Sequence, residues 1–204
     1  MARVLLTGFE PFGGAEVNSS WDAVALVAET WQHGAELVTR RLPVTFGSAG
    51  RRLAEHVAMH TPDVVVAVGV APGRSALALE RVAINFRDAS IPDNAGRQPV
   101  EVPSIAGAPA AHFSTLPVTR IAAALNRAGV PAEVSLSAGS YVCNDTFFAL
   151  QNSLVGLGVA SGFIHVPATE AMQLADDVPL MPLPEIARGL RIAIETALTF
   201  GRQS

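Results

Sequence analysis

The sequence predicts an α/β fold: a three-layer α/β/α sandwich around a mostly parallel, twisted central sheet. Apolar runs typical of buried strands alternate along the chain with segments whose apolar residues recur at helical spacing. The clearest strand is the run from Val64 to Val70, which is apolar throughout and rich in β-branched residues, as in a central parallel strand covered on both faces. Strands that alternate with helices are typical of a parallel sheet with helices on both sides.

The individual elements follow in chain order from the same patterning. Asn18 or Ser19 can cap the first helix, and Pro184 stands near the first turn of the last one, where its missing N–H has no partner to lose. Besides the central strand, the predicted strands are 4–7, 35–40, a short pair within 77–86, 133–136 and 162–166, and the predicted helices are 21–31, 49–59, 118–128, 143–157 and 184–200.

Residues 71–113 interrupt the alternation of strands and helices. They are dense in Gly and Pro and contain a turn at 92–96, besides the predicted strand pair. A long irregular insertion is usually functional or disordered, and the strand-like run Glu80–Asn85 argues against disorder. Since the chain shows neither an internal repeat nor a linker, we expect one domain over residues 1–204.

Composition excludes several classes of function. The net charge is −4 without a basic block, which argues against binding to nucleic acid or to an anionic membrane. No apolar run reaches the roughly 18 to 20 residues of a membrane span, and the N-terminus lacks the features of a signal peptide. A single cysteine allows no internal disulfide, so a reducing cytoplasm is expected. The 50% hydrophobic content indicates an oligomer interface.

The only cysteine, Cys143, follows a turn of small residues, Ser137–Ser140, and begins a helical segment. A thiol at the start of a helix lies near free N–H groups and the positive end of the helix dipole, both of which favour the thiolate. A lone cysteine is nevertheless more often an inert, buried residue of the core. This stretch alone therefore favours a core residue over a nucleophile.

His165 offers Cys143 a partner. It ends the strand 162–166, and Val166-Pro167 cannot continue at once into a helix. Because sites in α/β sheets form beyond the carboxyl ends of strands, we expect His165 at the rim of the sheet with Cys143, as a general base beside a nucleophile. The alternative is a core histidine that donates to a carbonyl. The other histidines, His33, His56, His60 and His112, are expected to be solvated.

A third residue should hold the imidazole tautomer in a catalytic triad, and a carboxylate does this in related triads. Glu80, Asp88 and Asp93 are the candidates in the insertion. Glu80 stands among apolar neighbours, where a carboxylate either pairs with an arginine, here Arg74 or Arg81, or serves a site. The sequence leaves these two roles of Glu80 open.

Two further kinds of site are disfavoured. One cysteine and scattered histidines offer no metal-ligand spacing, so a metal site is not expected. The loop 8–14, GFEPFGG, lacks the glycine spacing of phosphate loops. Its Phe9 and Phe12 suit an apolar slot for a flat, uncharged group.

Four motifs together resemble the pyroglutamyl-peptidase I (pyrrolidone-carboxylate peptidase) family of cysteine peptidases. These are LLTGFEPFGG followed by NSSW, ALERVAINF with IPDN, SAGSYVCN, and GFIHVP, and the resemblance covers nearly the whole chain. It implies an α/β/α fold and an exopeptidase that removes N-terminal pyroglutamate from peptides through a thioacyl-enzyme, without a cofactor. It also implies a cytosolic protein, often a homotetramer.

The resemblance also assigns roles to residues. Cys143 matches the nucleophile of the family, His165 the base and Glu80 the carboxylate partner, while Phe9 and Phe12 match the aromatic residues that hold the pyroglutamyl ring. The alternative is a weak or inactive binding module of the same fold that recognises cyclic N-terminal groups. An α/β hydrolase or phosphorylase for another class of substrate is a weaker rival, because no convincing phosphate site is present.

The chain departs from the family pattern at a few positions. Ser90 replaces a common arginine, which leaves open how an oxyanion is held, and backbone N–H groups at the Cys143 turn are the natural substitute. The apolar segment 178–183 is either an interface or a lid. Two other departures are single residues: Ala78 stands in place of Ser or Thr, and Phe148 in place of Tyr. The segment Val70-Ala71-Pro72-Gly73 stands where the family often has a Gly-rich segment that contains Gln and Gly–Gly.

Overall fold

A six-stranded sheet forms the centre of the computed structural model, which describes residues 1–200. The strands are β1 (Arg3–Phe9), β2 (Glu36–Leu42), β3 (Val64–Val70), β4 (Leu77–Glu80), β5 (Val82–Ile84), β6 (Ala111–Phe113), β7 (Ala132–Ser135) and β8 (Ala160–Val166). The helices are α1 (Ser19–Glu29), α2 (Ser48–His60), α3 (Val118–Arg127), α4 (Val142–Ser153) and α5 (Leu183–Phe200). The strand order in the central sheet is β2-β1-β3-β8-β4-β7.

Helices cover both faces of this sheet. On one face α1, α3 and α5 pack together, and on the other α2 packs against α4. Every residue of β3 is buried as a result, which explains why its sequence is apolar without alternation. This arrangement confirms the predicted three-layer α/β/α fold.

The sheet is mostly parallel, but two strands run the other way. β1, β2, β3 and β8 pair in parallel, whereas β4 is antiparallel to β8 and β7 is parallel to β4. The direction of a strand is not visible in its hydrophobic pattern, because residues alternate between faces in either direction.

The expectation of a strand pair within 77–86 is wrong in one respect. Two strands do occur there, but β4 belongs to the central sheet and β5 pairs with β6 in a separate two-stranded sheet. Leu77–Glu80 is buried throughout, so the segment suits the middle of the molecule better than a surface hairpin. β6 was not predicted, because three residues, two of them exposed, are too short to show a period.

The other boundaries agree with the prediction to within a few residues. Asn18 caps α1, where its side chain accepts a hydrogen bond from the N–H of Ser20 at 3.0 Å. The fourth helix ends at Ser153 rather than at 157, because Gly156 and Gly158 adopt left-handed backbone angles. Within residues 1–200 no helix is both long and apolar enough to cross a membrane. The predicted domain 1–204 includes residues 201–204, which lie outside the described part.

We expect Ile194→Ala to lower the free energy of unfolding by about 2 to 5 kcal/mol, the usual range for truncating a buried aliphatic side chain. Ile194 is 0% exposed in the layer formed by α5 and its neighbours. Met59→Ala on α2, where the side chain is 70% exposed, is the control and should change the free energy of unfolding by less than about 0.5 kcal/mol. Urea denaturation at one protein concentration measures both, and equal midpoints for the two variants would contradict the described core.

Candidate active site

Cys143 is the second residue of α4 and is partly exposed. The turn before it contains Gly139 at φ 78°, a left-handed angle that glycine adopts without strain. Two side chains of the turn bind the insertion: Ser140 Oγ donates to the carbonyl of Asp88 at 2.7 Å, and the Tyr141 hydroxyl donates to the carbonyl of Pro92 at 3.0 Å. The start of α4 is thereby fixed against the insertion, residues 71–113.

The sequence had suggested that the Cys143 turn leaves the sheet at the same edge as His165. The structure shows that it does not. His165 does lie near the carboxyl end of its strand, but β7 runs antiparallel to β8 and ends level with Glu80. The connection from β7 carries the chain to Gly69 on β3, against which the Cys143 thiol rests. The thiol and the imidazole therefore meet by packing of α4 on the sheet, and not because two parallel strands end together.

Strand register brings Glu80 and His165 together. Glu80 pairs with Phe163 across the antiparallel β4–β8 ladder, and His165 is two residues further along on the same face. Glu80 Oε1 lies 2.8 Å from His165 Nδ1, and the two residues are 0% and 5% exposed. Glu80 is thus fully buried, in keeping with its apolar neighbours in the sequence.

Gly69 makes room for the thiol. It lies beside His165 in the β3–β8 ladder, and a Cβ atom built on it would stand 2.8 Å from Cys143 Sγ and 2.8 Å from the ring of Phe163. Such distances are shorter than van der Waals contact, so any side chain at this position displaces one of the two. A glycine inside an otherwise β-branched run is the sequence signal for such a close approach, and it could have identified this residue.

Cys143 and Glu80 raise the pKa of the His165 imidazole. Burial alone would lower the pKa of His165, but the charge of Cys143 and hydrogen bonds to Cys143 and Glu80 raise that pKa from 6.5 to about 9. Burial, together with the charges of Asp93 and Cys143, also raises the pKa of Tyr141. This geometry can hold a proton on His165 at neutral pH, next to the Cys143 side chain.

Glu80 contacts both an arginine and the histidine. Arg74 Nη2 lies 3.5 Å from Glu80 Oε1, while the same carboxylate binds His165. Arg81, the other candidate partner, instead donates to the Thr119 hydroxyl at 2.6 Å.

The remaining acidic candidates have other surroundings. Asp88 is exposed. Asp93 is buried and accepts hydrogen bonds from the N–H groups of Phe46, Ala95 and Arg97. Burial would raise the pKa of Asp93, but these N–H groups and the Arg97 charge lower it. Asp93 therefore anchors the turn at 92–96 as a carboxylate.

A small apolar cavity of about 20 Å³ adjoins Cys143. Phe9 and Phe12 line it. The Phe9 ring packs against Phe163 with centroids 6.3 Å apart, and Phe12 lies 6.2 Å from the ring of Tyr141. The other lining residues, which sequence reasoning missed, are Asn18, Val44, Val70, Tyr141 and Val142. Val70 is one of the departures from the family pattern, and Tyr141 is the only tyrosine in the chain and directly precedes Val142-Cys143.

A larger cavity of about 720 Å³ lies elsewhere, lined in part by Ala2, Pro62, Val64 and Ala160, at the beginnings of strands. It contains neither the thiol nor His165, so size does not identify the site in this molecule.

The other histidines form no metal centre. Within residues 1–200 no three His, Cys, Asp or Glu side chains are grouped as metal ligands. His33 is exposed, whereas the other three are only partly exposed: His56 and His60 lie on α2, and His112 Nε2 lies 3.1 Å from Asn152 Oδ1.

An α/β/α fold with a thiol beside a buried imidazole–carboxylate pair defines a cysteine hydrolase. Residues 2–200 match the family model described as pyroglutamyl peptidase, so this chain belongs to that family. It is 48% identical to pyrrolidone-carboxylate peptidase 1 of Ralstonia nicotianae, over 97% of this chain and 94% of the relative. It is 46% identical to the pyrrolidone-carboxylate peptidase of Pseudomonas fluorescens, over 97% of this chain and 93% of that relative.

Solved structures agree with this family assignment. The crystal structure of pyroglutamyl peptidase I from Bacillus amyloliquefaciens superimposes with a TM-score of 0.93 at 39% identity, over 98% of both chains. The structure of a mutant pyrrolidone carboxyl peptidase (E192I) from Pyrococcus furiosus superimposes with a TM-score of 0.91 at 38% identity, over 97% of this chain and 98% of that one.

Gly69→Ala should turn the thiol away from the imidazole, since the added methyl would stand only 2.8 Å from Sγ. The pKa of His165 should then fall from about 9 towards 6.5, because the charge of Cys143 raises it. NMR titration of the His165 ring measures this shift. Gly162→Ala is the control, because its added methyl meets Ser114 and Leu116 and not the thiol. An unchanged titration in a folded Gly69→Ala variant would contradict the described packing.

Proposed function

We propose that this chain hydrolyses the bond after an N-terminal pyroglutamyl residue of peptides, acting as an exopeptidase of the cysteine class. The observation that carries the proposal is the line of Cys143, His165 and Glu80 beside an apolar cavity, in a member of the pyroglutamyl peptidase family. Nothing in the comparisons supports the alternative of an inactive binding module.

In this mechanism Cys143 is the nucleophile and His165 the base and acid. The imidazole accepts the thiol proton, and Sγ attacks the carbonyl carbon of the pyroglutamyl residue. The C–N bond breaks as the imidazolium gives its proton to the leaving amine, which leaves a thioester on Cys143. Water, deprotonated by the now neutral imidazole, attacks the thioester, and pyroglutamate leaves as the thiol is restored.

Glu80 determines which nitrogen of His165 faces the thiol. Its Oε1 accepts a hydrogen bond from Nδ1 at 2.8 Å, which leaves Nε2 free for the proton of Cys143. Because Glu80 is fully buried, water does not compete for this hydrogen bond. The carboxylate also stabilises the imidazolium that forms during attack.

The oxyanion is held by backbone N–H groups in the first turn of α4. The first N–H groups of a helix have no partner within it, and they carry the positive end of its dipole. The Asp145 N–H is already used by the carbonyl of Tyr141 at 3.1 Å, so the N–H groups before it, including that of Cys143, are the donors. Ser90 is exposed and takes no part.

The apolar cavity suits a neutral lactam ring. Phe9 and Phe12 offer aromatic faces to it, and no charged side chain lines the cavity. Asn18 is its only amide, and it already donates to the carbonyl of Glu10 and accepts from Ser20. In this proposal main-chain groups supply the hydrogen bonds to the lactam, and a proline, which lacks the ring carbonyl, would leave them unmade.

The cavity must open to admit this ring. Its volume of about 20 Å³ is near that of one water molecule. Phe12 is partly exposed and is followed by Gly13 and Gly14 at φ 62° and 84°. This loop is the segment whose movement enlarges the slot.

The remaining features of the proposal concern the whole protein. Residues 1–204 form one catalytic domain, located in the cytoplasm, where the free thiol stays reduced. Exposed side chains such as Phe113, Val155 and Leu157, each at least 64% exposed, support a homo-oligomer, for which a tetramer is the family expectation. In 178–183, Met181 is 3% exposed and its N–H binds the carbonyl of Ala168 at 2.9 Å, which favours a fixed segment over a lid.

The unmodified protein should release the chromophore from a chromogenic pyroglutamyl amide, and Cys143→Ala should abolish this release while the fold persists. Prolyl amide is the control substrate and should be cleaved far more slowly. Circular dichroism checks the fold of the variant. Release by the folded Cys143→Ala variant at the unmodified rate would rule out the assignment.

Glu80→Gln should lower kcat by about 100-fold or more with a smaller change in KM, since the carboxylate acts on the imidazole and not on the substrate. Glu80 contributes to the raised pKa of His165, near 9, so its loss should move the alkaline limb of the pH–rate profile to lower pH. Steady-state rates between pH 6 and 10 measure both effects. Unchanged turnover would make Glu80 a structural ion-pair partner.

A further inference from the structure

Arg74 lies directly behind the Glu80 carboxylate, and the mechanism above gives it no role. Its Nη2 is 3.5 Å from Glu80 Oε1, the same oxygen that binds His165 Nδ1 at 2.8 Å. One carboxylate oxygen therefore contacts the imidazole on one side and the guanidinium on the other.

The guanidinium affects Glu80 through its charge. Its hydrogen bonds go to Glu133 Oε1 at 3.2 Å, Ser135 Oγ at 3.3 Å and the carbonyl of Ser137 at 3.2 Å. The contact with Glu80 is within ion-pair distance but is not among these hydrogen bonds. Arg74 is thus held in place by β7 and the turn that follows it, with its charge directed at Glu80.

Glu80 needs a permanent positive neighbour. It is 0% exposed, and its Oε2 has no hydrogen-bond partner within residues 1–200. A buried carboxylate without compensation is costly and tends to take up a proton. His165 is positive only while protonated, and it is neutral when it acts as base for the hydrolytic water. At that stage Arg74 is the remaining cation against Glu80.

We propose that Arg74 is a positioning residue whose positive charge, held against Glu80 Oε1, lowers the pH at which His165 loses its proton. This inference rests on the proposed function. Without Arg74 the surroundings of His165 become more negative, so the imidazolium holds its proton more tightly. It then gives that proton to the leaving amine less readily.

The charged and titratable groups around His165 come from a few elements. Cys143 faces it from α4, Glu80 from β4 and Arg74 from the connection between β3 and β4. Tyr141, before α4, lies near enough to feel the charge of Cys143. Two acids act from further out: Glu133 on β7 binds the outer side of Arg74, and the charge of Asp93 reaches Tyr141.

Arg74→Gln tests the proposal, because it removes the charge and keeps an amide donor for the carbonyl of Ser137. NMR titration of His165 in the full chain should show its pKa raised by about one unit, as expected for losing a nearby charge that is partly screened by solvent. The alkaline limb of the pH–rate profile should move the same way, opposite to the shift expected for Glu80→Gln. At neutral pH kcat should fall about tenfold while KM changes less than about twofold.

Arg81→Gln is the matched control. It removes the same charge one residue from Glu80 in sequence, but its guanidinium binds Thr119 at 2.6 Å. His165 should titrate in this control as in the unmodified chain. Arg74→Lys keeps the charge without the guanidinium fork and should restore most of the titration and of kcat.

The proposal is wrong if His165 titrates unchanged in folded Arg74→Gln, or if Arg81→Gln produces an equal shift. A loss of thermal stability alone, with both pH readouts unchanged, would make Arg74 a structural anchor. If Arg74→Gln does not fold, Arg74→Lys decides, since a shift of a full unit with the charge retained contradicts the proposal. The NMR titration of His165 needs no substrate. A failure to release pyroglutamate would therefore overturn the proposed function, whereas the titration would still test the role of Arg74.

Discussion

The hydrogen bond between His165 and Glu80 is the contact on which the rest of the site depends. It joins two adjacent antiparallel strands inside the sheet, and both side chains are almost completely buried. A buried carboxylate and imidazole are stable there only as partners, because each alone would carry a large desolvation cost. The site is therefore part of the core, and its geometry is as rigid as the packing around it.

That bond requires the long insertion between β3 and α3. β4 must enter the central sheet beside β8 for Glu80 to stand opposite Phe163 and diagonal to His165. The chain then leaves the sheet at once, and β5 pairs with β6 outside it. The insertion thus contributes one strand to the core and a loop to the edge of the site, which explains its mixture of apolar and turn residues.

The position of the thiol is decided by small residues and buried carboxylates. Gly69 clears the surface of the sheet under Cys143, and the absence of a side chain at Gly50 lets α2 approach α4 closely at Ala149. Asp145 accepts hydrogen bonds from the N–H of Gly47 and from Arg87 Nε, both at 2.7 Å. The start of α4, which carries Cys143, is thereby tied to the loop before α2 and to the insertion.

The sequence by itself determined the alternation of strands and helices, a cap at Asn18 or Ser19, and Cys143, His165, Phe9 and Phe12 as residues of interest, because these follow from local periodicity and residue chemistry. Only the tertiary structure decided the direction of β4 and β7, the burial of Glu80 and its simultaneous contacts with His165 and Arg74. These depend on which strands become neighbours, and period-two patterning is the same whichever way a strand runs. Tyr141 and Val70 likewise became cavity residues only once α4 lay against β3.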